Sequence, residues 1–329
     1  MSLCNEYIYE SIDTIKDLDS IESLTIKLCG GVPSKRYNRS KQNIIRLLSI
    51  PEDYLSETAP LYAYNPYVSA FFSAKSDVLS PLLIDSDINM IFKGSLESNE
   101  VYQRFKEALR SHTSKPHFNN TIKKLRKSQT KREISINSYI DALKDNYARM
   151  LIVRLDLHLK IAPDRVNFTR DLLADMTRFW SLFRRDLNES SAIPKPVGFI
   201  GSLEHGHNRG FHFHVMLIYD GSKHQKDILI AYQIGEHWKL SITNGKGDYH
   251  NCNAINPSRY KHYGIGRVDY WDTDKISNLK IAARYLAKID FSLQAIVNKN
   301  RTFFRGNMPS SSMRSGRPRK ISIPKYENF

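Results

Sequence analysis

The sequence predicts an α+β protein in which an antiparallel sheet is covered by helices on one face, as in ferredoxin-like or RRM-like domains. Apolar residues alternate with polar ones in several segments after residue 150, and they recur every three or four residues in the segments between. A short Gly-containing turn also joins two of the alternating segments. Alternation is typical of a strand buried on one face, and the longer period is typical of an amphipathic helix. The resulting order of strands and helices favours a split β-α-β fold.

The first predicted strand is 150–160, where leucines alternate with polar residues. Its polar side carries Arg154, Asp156 and His158, because residues two apart in a strand share a face. The remaining elements follow in order: a helix at 168–187, a hairpin of strands at 197–204 and 211–219, a helix at 223–238, a strand at 266–271 and a helix at 275–290.

The domain organisation is predicted from composition. Residues 1–140 contain no motif that carries chemistry, and we expect a mixed, mostly helical accessory region there. Within it, the segment 101–135 is rich in Ser, Thr and Lys, shows little periodicity and is predicted to be a basic linker. The predicted catalytic domain is 145–295, and 296–329 is predicted to be a basic C-terminal tail.

The charge of the chain favours a polyanionic partner. There are 49 Lys and Arg residues against 34 Asp and Glu residues, a formal net charge of +15. Ten basic residues and only two acids lie between positions 101 and 133, and seven basic residues with no acid lie between 299 and 320. Such runs can also be solvated surface, but two of them flanking one segment favour nucleic acid.

Other classes of protein are disfavoured. Apolar runs such as 215–219 are far shorter than the roughly 20 residues needed to cross a bilayer, so we expect no membrane partner. Residues 1–26 hold six acids and one lysine, which is unlike a signal peptide. The three cysteines form neither a disulfide framework nor a zinc pattern, so we expect a cytoplasmic protein.

A pair of histidines is the first chemical feature. His212 and His214 lie two apart on a predicted strand and therefore project from the same face. Strand parity places Glu204, across the hairpin turn, where it can complete a two-histidine, one-carboxylate metal site with open positions for substrate. Asp156 competes with Glu204 as third ligand, and either Asp156 or His158 could ligate the metal directly or orient a ligating histidine. Taken alone, a His-x-His strand is more often simply polar surface.

A tyrosine and a lysine are the second feature. Tyr285 and Lys288 lie three apart on the predicted last helix and should therefore be neighbours. A phenol with a pKa near 10 is a poor nucleophile, but a metal that polarises a phosphodiester makes its attack on phosphorus feasible.

The sequence resembles the HUH endonucleases, the rolling-circle replication initiators and relaxases. The likeness lies in the order of three features: the strand motif, the histidine pair and the Tyr-x-x-Lys helix. The likeness is closest to the inovirus, filamentous-phage gene-two type of replication protein, and it covers residues 145–310. The residues that carry it are VRLDLHL at 153–159, GFHFHVML at 210–217, ARYLAKID at 283–290 and RTFFRGNMP at 301–309.

The resemblance implies a nickase that cuts one strand of origin DNA, keeps its 5′ end as a phosphotyrosine and leaves a free 3′-OH to prime replication. Tyr285 would be the nucleophile, and Lys288 would neutralise charge at the scissile phosphate or assist the phenol. His212 and His214 would hold Mg²⁺ or Mn²⁺. Some phage initiators carry two tyrosines on this helix, whereas the predicted helix carries one. The sequence therefore does not identify the nucleophile that ends a round of replication.

The expected partners are single-stranded or melted origin DNA and a host replication helicase or polymerase, in the cytoplasm of a bacterial cell. Basic residues near the motifs are expected to contact the DNA: Arg154, Arg209, Arg284, Arg301 and Arg305. One alternative is a non-catalytic protein that binds single-stranded nucleic acid on an RRM-like sheet. Another is a zinc-stabilised domain, although the four-ligand spacing of structural zinc sites is missing.

Overall fold

The computed structural model describes residues 20–30, 47–48, 50, 65–79, 95–160, 170–206, 210–259, 261–290, 293 and 301–310. The strands are β1 (Arg149–Leu159), β2 (Gly198–Gly206), β3 (Gly210–Asp220), β4 (Gly247–Asn251), β5 (Gly266–Asp269) and β6 (Phe303–Arg305). The helices are α1 (Pro66–Leu79), α2 (Ser95–Ser114), α3 (Pro116–Asn146), α4 (Arg170–Glu189), α5 (Asp227–Glu236) and α6 (Thr273–Arg284). Residues 20–28 are also helical, and a π-helical turn, His237–Ile242, follows α5 directly.

The strands form one antiparallel sheet with the order β4-β1-β3-β2-β6. β5 pairs with the start of β1, on the same edge where β4 pairs with its end. The α+β class and the antiparallel sheet are therefore confirmed. β4 and β6 were not predicted, because both are short and neither has an alternating apolar pattern.

One face of the sheet, here called the packed face, is covered along its length by α4 and α5. The odd-numbered apolar residues of β1 and β3 point to this face and pack against α4. The indole ring of Trp180 stacks on Phe213, with 4.3 Å between ring centroids. Gly201 makes this fit feasible, because a Cβ at that position would lie 2.6 Å from Trp180. The packed face continues into a core shared with α1 and α2.

The opposite face, here called the site face, is covered over half of its area. At one end, Met150 and Ile152 of β1 pack against apolar residues of α3 and α6. Beyond them, the same face of β1 continues with Arg154, Asp156 and His158, of which Asp156 is buried and the other two are half-buried. The prediction of helices on one face is therefore wrong, and the polar half of the site face borders a packed apolar half.

The predicted linker at 101–135 is also wrong, since these residues belong to α2 and α3. Pro116 occupies the first turn of α3, where its missing N–H costs no hydrogen bond. The first half of α3 buries few apolar residues, which explains the weak periodicity of its sequence. Its second half contributes Ile136, Tyr139, Ile140 and Leu143 to the core of the site face. No helix within the described ranges is long and apolar enough to span a membrane.

The side chain of Asn253 fills a gap at the edge of β1, between its pairing with β4 and its pairing with β5. The Asn253 Oδ1 atom accepts from the backbone N–H of Arg154 at 2.8 Å. Its Nδ2 atom donates to the carbonyl oxygen of Ile152 at 2.9 Å and to Asp227 at 2.8 Å. One buried amide therefore satisfies backbone groups that no strand reaches.

Replacing Asn253 with alanine should lower the free energy of unfolding by about 2–4 kcal/mol, because it leaves buried backbone and carboxylate groups unpaired. Urea denaturation followed by circular dichroism measures this change. Asn120→Ala, at an exposed position of α3, is the matched control and should change stability by less than about 0.5 kcal/mol. Equal stability of the two variants would show that Asn253 is not a structural link.

Candidate functional site

The register of the sheet brings the predicted histidines and carboxylates together. His212 of β3 lies opposite Glu204 of β2 on one side and opposite His158 of β1 on the other. His214 lies opposite Asp156 in the same way. Residues directly opposite each other in an antiparallel pair project from the same face, so all five belong to the polar half of the site face.

Glu204, His212 and His214 form the tightest group. One ligand atom from each lies within 4.8 Å of the other two. The imidazole rings have centroids 4.7 Å apart and are nearly perpendicular, and His214 Nε2 lies 3.5 Å from a Glu204 oxygen. These three side chains could hold a divalent metal. Neither Asp156 nor His158 belongs to this group of described residues.

Both histidines are held through their Nδ1 atoms, which leaves each Nε2 atom available as a ligand. His212 Nδ1–H donates to the carbonyl oxygen of Gly210 at 3.0 Å. Gly210 has a φ of 56°, a left-handed conformation that favours glycine. His214 Nδ1–H donates to Asp156 Oδ1 at 2.6 Å. This hydrogen bond is the contact that an orienting carboxylate makes behind a metal-bound histidine, and it favours that role for Asp156 over direct ligation.

The charges of the group are strongly coupled. Burial alone would lower the pKa of His214, but its hydrogen bonds and ion pairs with Asp156 and Glu204 raise that pKa to about 9. Burial would raise the pKa of each carboxylate, yet His214 lowers both, that of Asp156 well below its usual range. Burial and the charge of His214 lower the pKa of His212. A ligating imidazole must be neutral, so metal binding here releases the proton of His214.

A cavity of about 350 Å³ opens beside this group. Glu204 and His214 line it, together with Tyr285 and Lys288. The phenol of Tyr285 is 63% exposed, so a substrate that enters the cavity can reach it. The two motifs that the sequence singled out therefore line the same space.

The local structure at Tyr285 differs from the prediction. Asp272 caps α6 by accepting from the Lys275 N–H at 2.9 Å, but the helix ends at Arg284 and Tyr285–Ala287 forms a 3₁₀ turn. After this turn the chain is tied to the sheet by Asp290, whose carboxylate accepts from the His205 N–H at 3.0 Å. Tyr285 thus lies on a turn that is anchored at both ends.

A sequence model of the YagK/YfjJ C-terminal domain matches residues 100–306, well over half of the 329 residues. The chain belongs to this family. Neither the curated proteins nor the solved structures contain a match. The YagK/YfjJ domain therefore includes α3 and β6, which both lie outside the predicted boundaries of 145–295.

The cavity of this YagK/YfjJ domain has cationic walls that the sequence only partly predicted. Arg154 lines it, as does Lys288. Lys261 and His262, from the loop before β5, were missed because that loop has no periodic pattern. Tyr263 from the same loop also lines the cavity.

The other arginines predicted to contact DNA have varied surroundings. Arg284 and Arg301 are exposed. Arg305 is held by α3, where its Nε atom donates to Ser135 at 2.7 Å and its guanidinium group lies over the ring of Tyr139. Arg209 lies outside the described residues.

Replacing Asp156 with asparagine should weaken Mn²⁺ binding by about 10- to 100-fold, because the neutral amide no longer makes His214 a strong donor. Titration calorimetry of the purified protein with MnCl₂ measures this change. Asp186→Asn is the matched control, since Asp186 holds His237 at 2.9 Å on the packed side of the molecule. Unchanged Mn²⁺ affinity in Asp156→Asn would mean that the carboxylate does not support the ligand set.

Proposed function

We propose that this protein is a metal-dependent enzyme of the HUH type that nicks and rejoins single-stranded DNA and starts rolling-circle replication. One observation carries the proposal: Glu204 and His214, two members of the candidate metal group, line the same cavity as Tyr285 and Lys288. A metal group, a reachable phenol and a cation around one space are what attack on a phosphodiester requires.

The residues fit a divalent metal. Glu204, His212 and His214 would hold it through one carboxylate oxygen and two Nε2 atoms, a set that leaves positions for substrate oxygens. Mg²⁺ or Mn²⁺ is the metal we propose. When bound, such a cation polarises the scissile phosphodiester and offsets the charge that develops on it.

Tyr285 and Lys288 then have distinct roles in strand transfer. The Tyr285 oxygen attacks phosphorus and forms a phosphotyrosine with the 5′ end of the DNA. The bond from phosphorus to O3′ breaks, and the proton lost by the phenol is balanced by the one gained by the leaving 3′-OH. Lys288, beside the tyrosine, stabilises negative charge at the phosphate. The reverse reaction, attack by a 3′-OH on the phosphotyrosine, rejoins the strand.

The non-catalytic alternative has weaker support. A sheet that binds single strands by stacking needs exposed aromatic rings. Here Phe211 and Phe213 are buried on the packed face. Phe303 lies on the site face, but the guanidinium group of Arg132 covers its ring at 5.6 Å.

The deciding experiment is incubation of the protein with single-stranded oligonucleotides that tile the DNA around its own gene, with MnCl₂ or with EDTA. Intact-mass spectrometry then detects any covalent adduct, and peptide mapping finds its position. The proposal predicts a metal-dependent adduct on Tyr285. Salt-sensitive binding that ignores EDTA and leaves no adduct would favour the non-catalytic protein.

A further inference from the structure

A stripe of lysines runs along the outer face of α3, in the region that was expected to be a linker. Lys123, Lys127 and Lys131 are all exposed and are spaced four residues apart, so they lie in a row about 6 Å from one to the next. Lys124 and Arg126 flank this row and are exposed as well. No Asp or Glu occurs between residues 116 and 132.

Among the residues that the structure describes, no acidic side chain neutralises the stripe. None of its three lysines forms an ion pair with a residue that the structure describes, whereas Arg104 of α2 pairs with Glu100 at 2.6 Å and Arg178 of α4 pairs with Asp175 at 3.1 Å. Like charges four residues apart on a helix repel each other. The stripe therefore lowers the stability of α3 unless an anion binds to it.

The C-terminal end of the stripe is anchored to the core and to the sheet. On the opposite side of α3, Ile136 and Tyr139 are fully buried in the core of the site face. Arg132, the residue after the last lysine, donates to Thr302 at 3.1 Å beside β6. Phe303 of β6 pairs with Ser202 of β2, which in turn pairs with His214. The end of the stripe is thus linked to a candidate metal ligand through three neighbouring strands.

We propose that the lysine stripe of α3 binds the phosphate backbone of double-stranded DNA next to the strand that enters the cavity. A straight row of cations along a helix suits a regular duplex backbone. Single strands are bound instead by cations combined with stacking aromatics, and the exposed residues of α3 between 119 and 134 include no Phe, Tyr or Trp. The inference rests on the proposed function in one respect, namely that the nucleic acid is DNA.

The test compares three variants of the full chain by fluorescence anisotropy with a labelled duplex of about 20 base pairs, between about 50 and 200 mM salt. In Lys123→Gln/Lys127→Gln/Lys131→Gln, we expect the slope of log Kd against log salt to fall by about 2–3 and affinity to drop roughly ten-fold or more. Lys→Arg at the same positions should retain binding. The matched control, Arg178→Gln/Arg185→Gln/Lys223→Gln, removes the same amount of charge elsewhere on the surface. It should retain most of the duplex binding.

Two results would overturn the proposal: an unchanged slope in the Lys→Gln variant, or equal losses in that variant and in the matched control. Preferred binding to vesicles rich in phosphatidylserine, lost with the stripe, would equally reject duplex DNA as the partner. The proposed function is tested separately, through adduct formation by the Lys→Gln variant on a short single strand. We expect that adduct to form, and duplex binding to persist in Tyr285→Phe.

Discussion

Replacing Tyr285 with phenylalanine should abolish the covalent DNA adduct and lower strand cleavage by about four orders of magnitude or more, the scale on which loss of a nucleophile acts. The phenyl ring keeps the shape of the side chain and removes only the attacking oxygen. Because Tyr285 is 63% exposed and its turn is anchored by buried neighbours, stability should change by less than about 0.5 kcal/mol. Denaturing gels with a 5′-labelled and a 3′-labelled oligonucleotide measure cleavage and attachment together.

Two further tyrosines serve as controls for this variant. Tyr232 of α5 is 54% exposed and does not line the cavity, so Tyr232→Phe should cleave like the wild type. Tyr263 lines the cavity without being the proposed nucleophile, so Tyr263→Phe should still form the adduct. An adduct that persists in Tyr285→Phe would reject Tyr285 as the nucleophile, and its mapped position would identify the residue that acts instead.

Replacing His212 or His214 with glutamine should remove metal-dependent cleavage by roughly three orders of magnitude or more, since each supplies one of only three proposed ligands. Glutamine is close to histidine in size, so the cores on either side of β3 should stay packed. Titration with MnCl₂ measures the lost affinity, and cleavage assays across a range of MnCl₂ concentrations show whether excess metal restores activity.

His262→Gln is the matched control, because His262 lines the same cavity but lies outside the metal group. It should bind Mn²⁺ like the wild type. EDTA should reduce wild-type cleavage to the level of the His212 and His214 variants, and it should have no additional effect on them. Cleavage by the wild type that survives EDTA would contradict a metal role for these histidines.

The long strands of the sheet could be predicted from sequence within one or two residues. β1 and β3 have extended alternation, and a shift of one residue would turn the leucines and valines of the packed face toward the site face, which is polar at one end. The same patterns could not reveal β4, whose polar residues form a strand only because β1 offers an unpaired edge. The helical state of α3 was missed because its first half depends on helix propensity more than on buried residues.

In the candidate site too, sequence patterns predicted what depends on strand geometry, but not what depends on tertiary contacts. Parity along two adjacent strands was enough to place Glu204 with His212 and His214. The role of Asp156 depends on a 2.6 Å hydrogen bond, which no pattern in β1 could distinguish from direct ligation. The loop residues Lys261 and His262 reach the cavity through the path of an irregular segment, which residue spacing cannot predict.

The half-covered site face has an electrostatic consequence. It places His214 and Asp156 at the border between a low-dielectric interior and water, where the two side chains are only 19% and 11% exposed. Mobile ions screen exposed charges over about 8 Å at physiological ionic strength, but they screen buried pairs much less. Added salt should therefore weaken contacts between exposed lysines and phosphates while the field among the buried imidazole and carboxylates stays nearly constant. Ionic strength should thus separate the proposed binding of DNA from the proposed chemistry of the metal group.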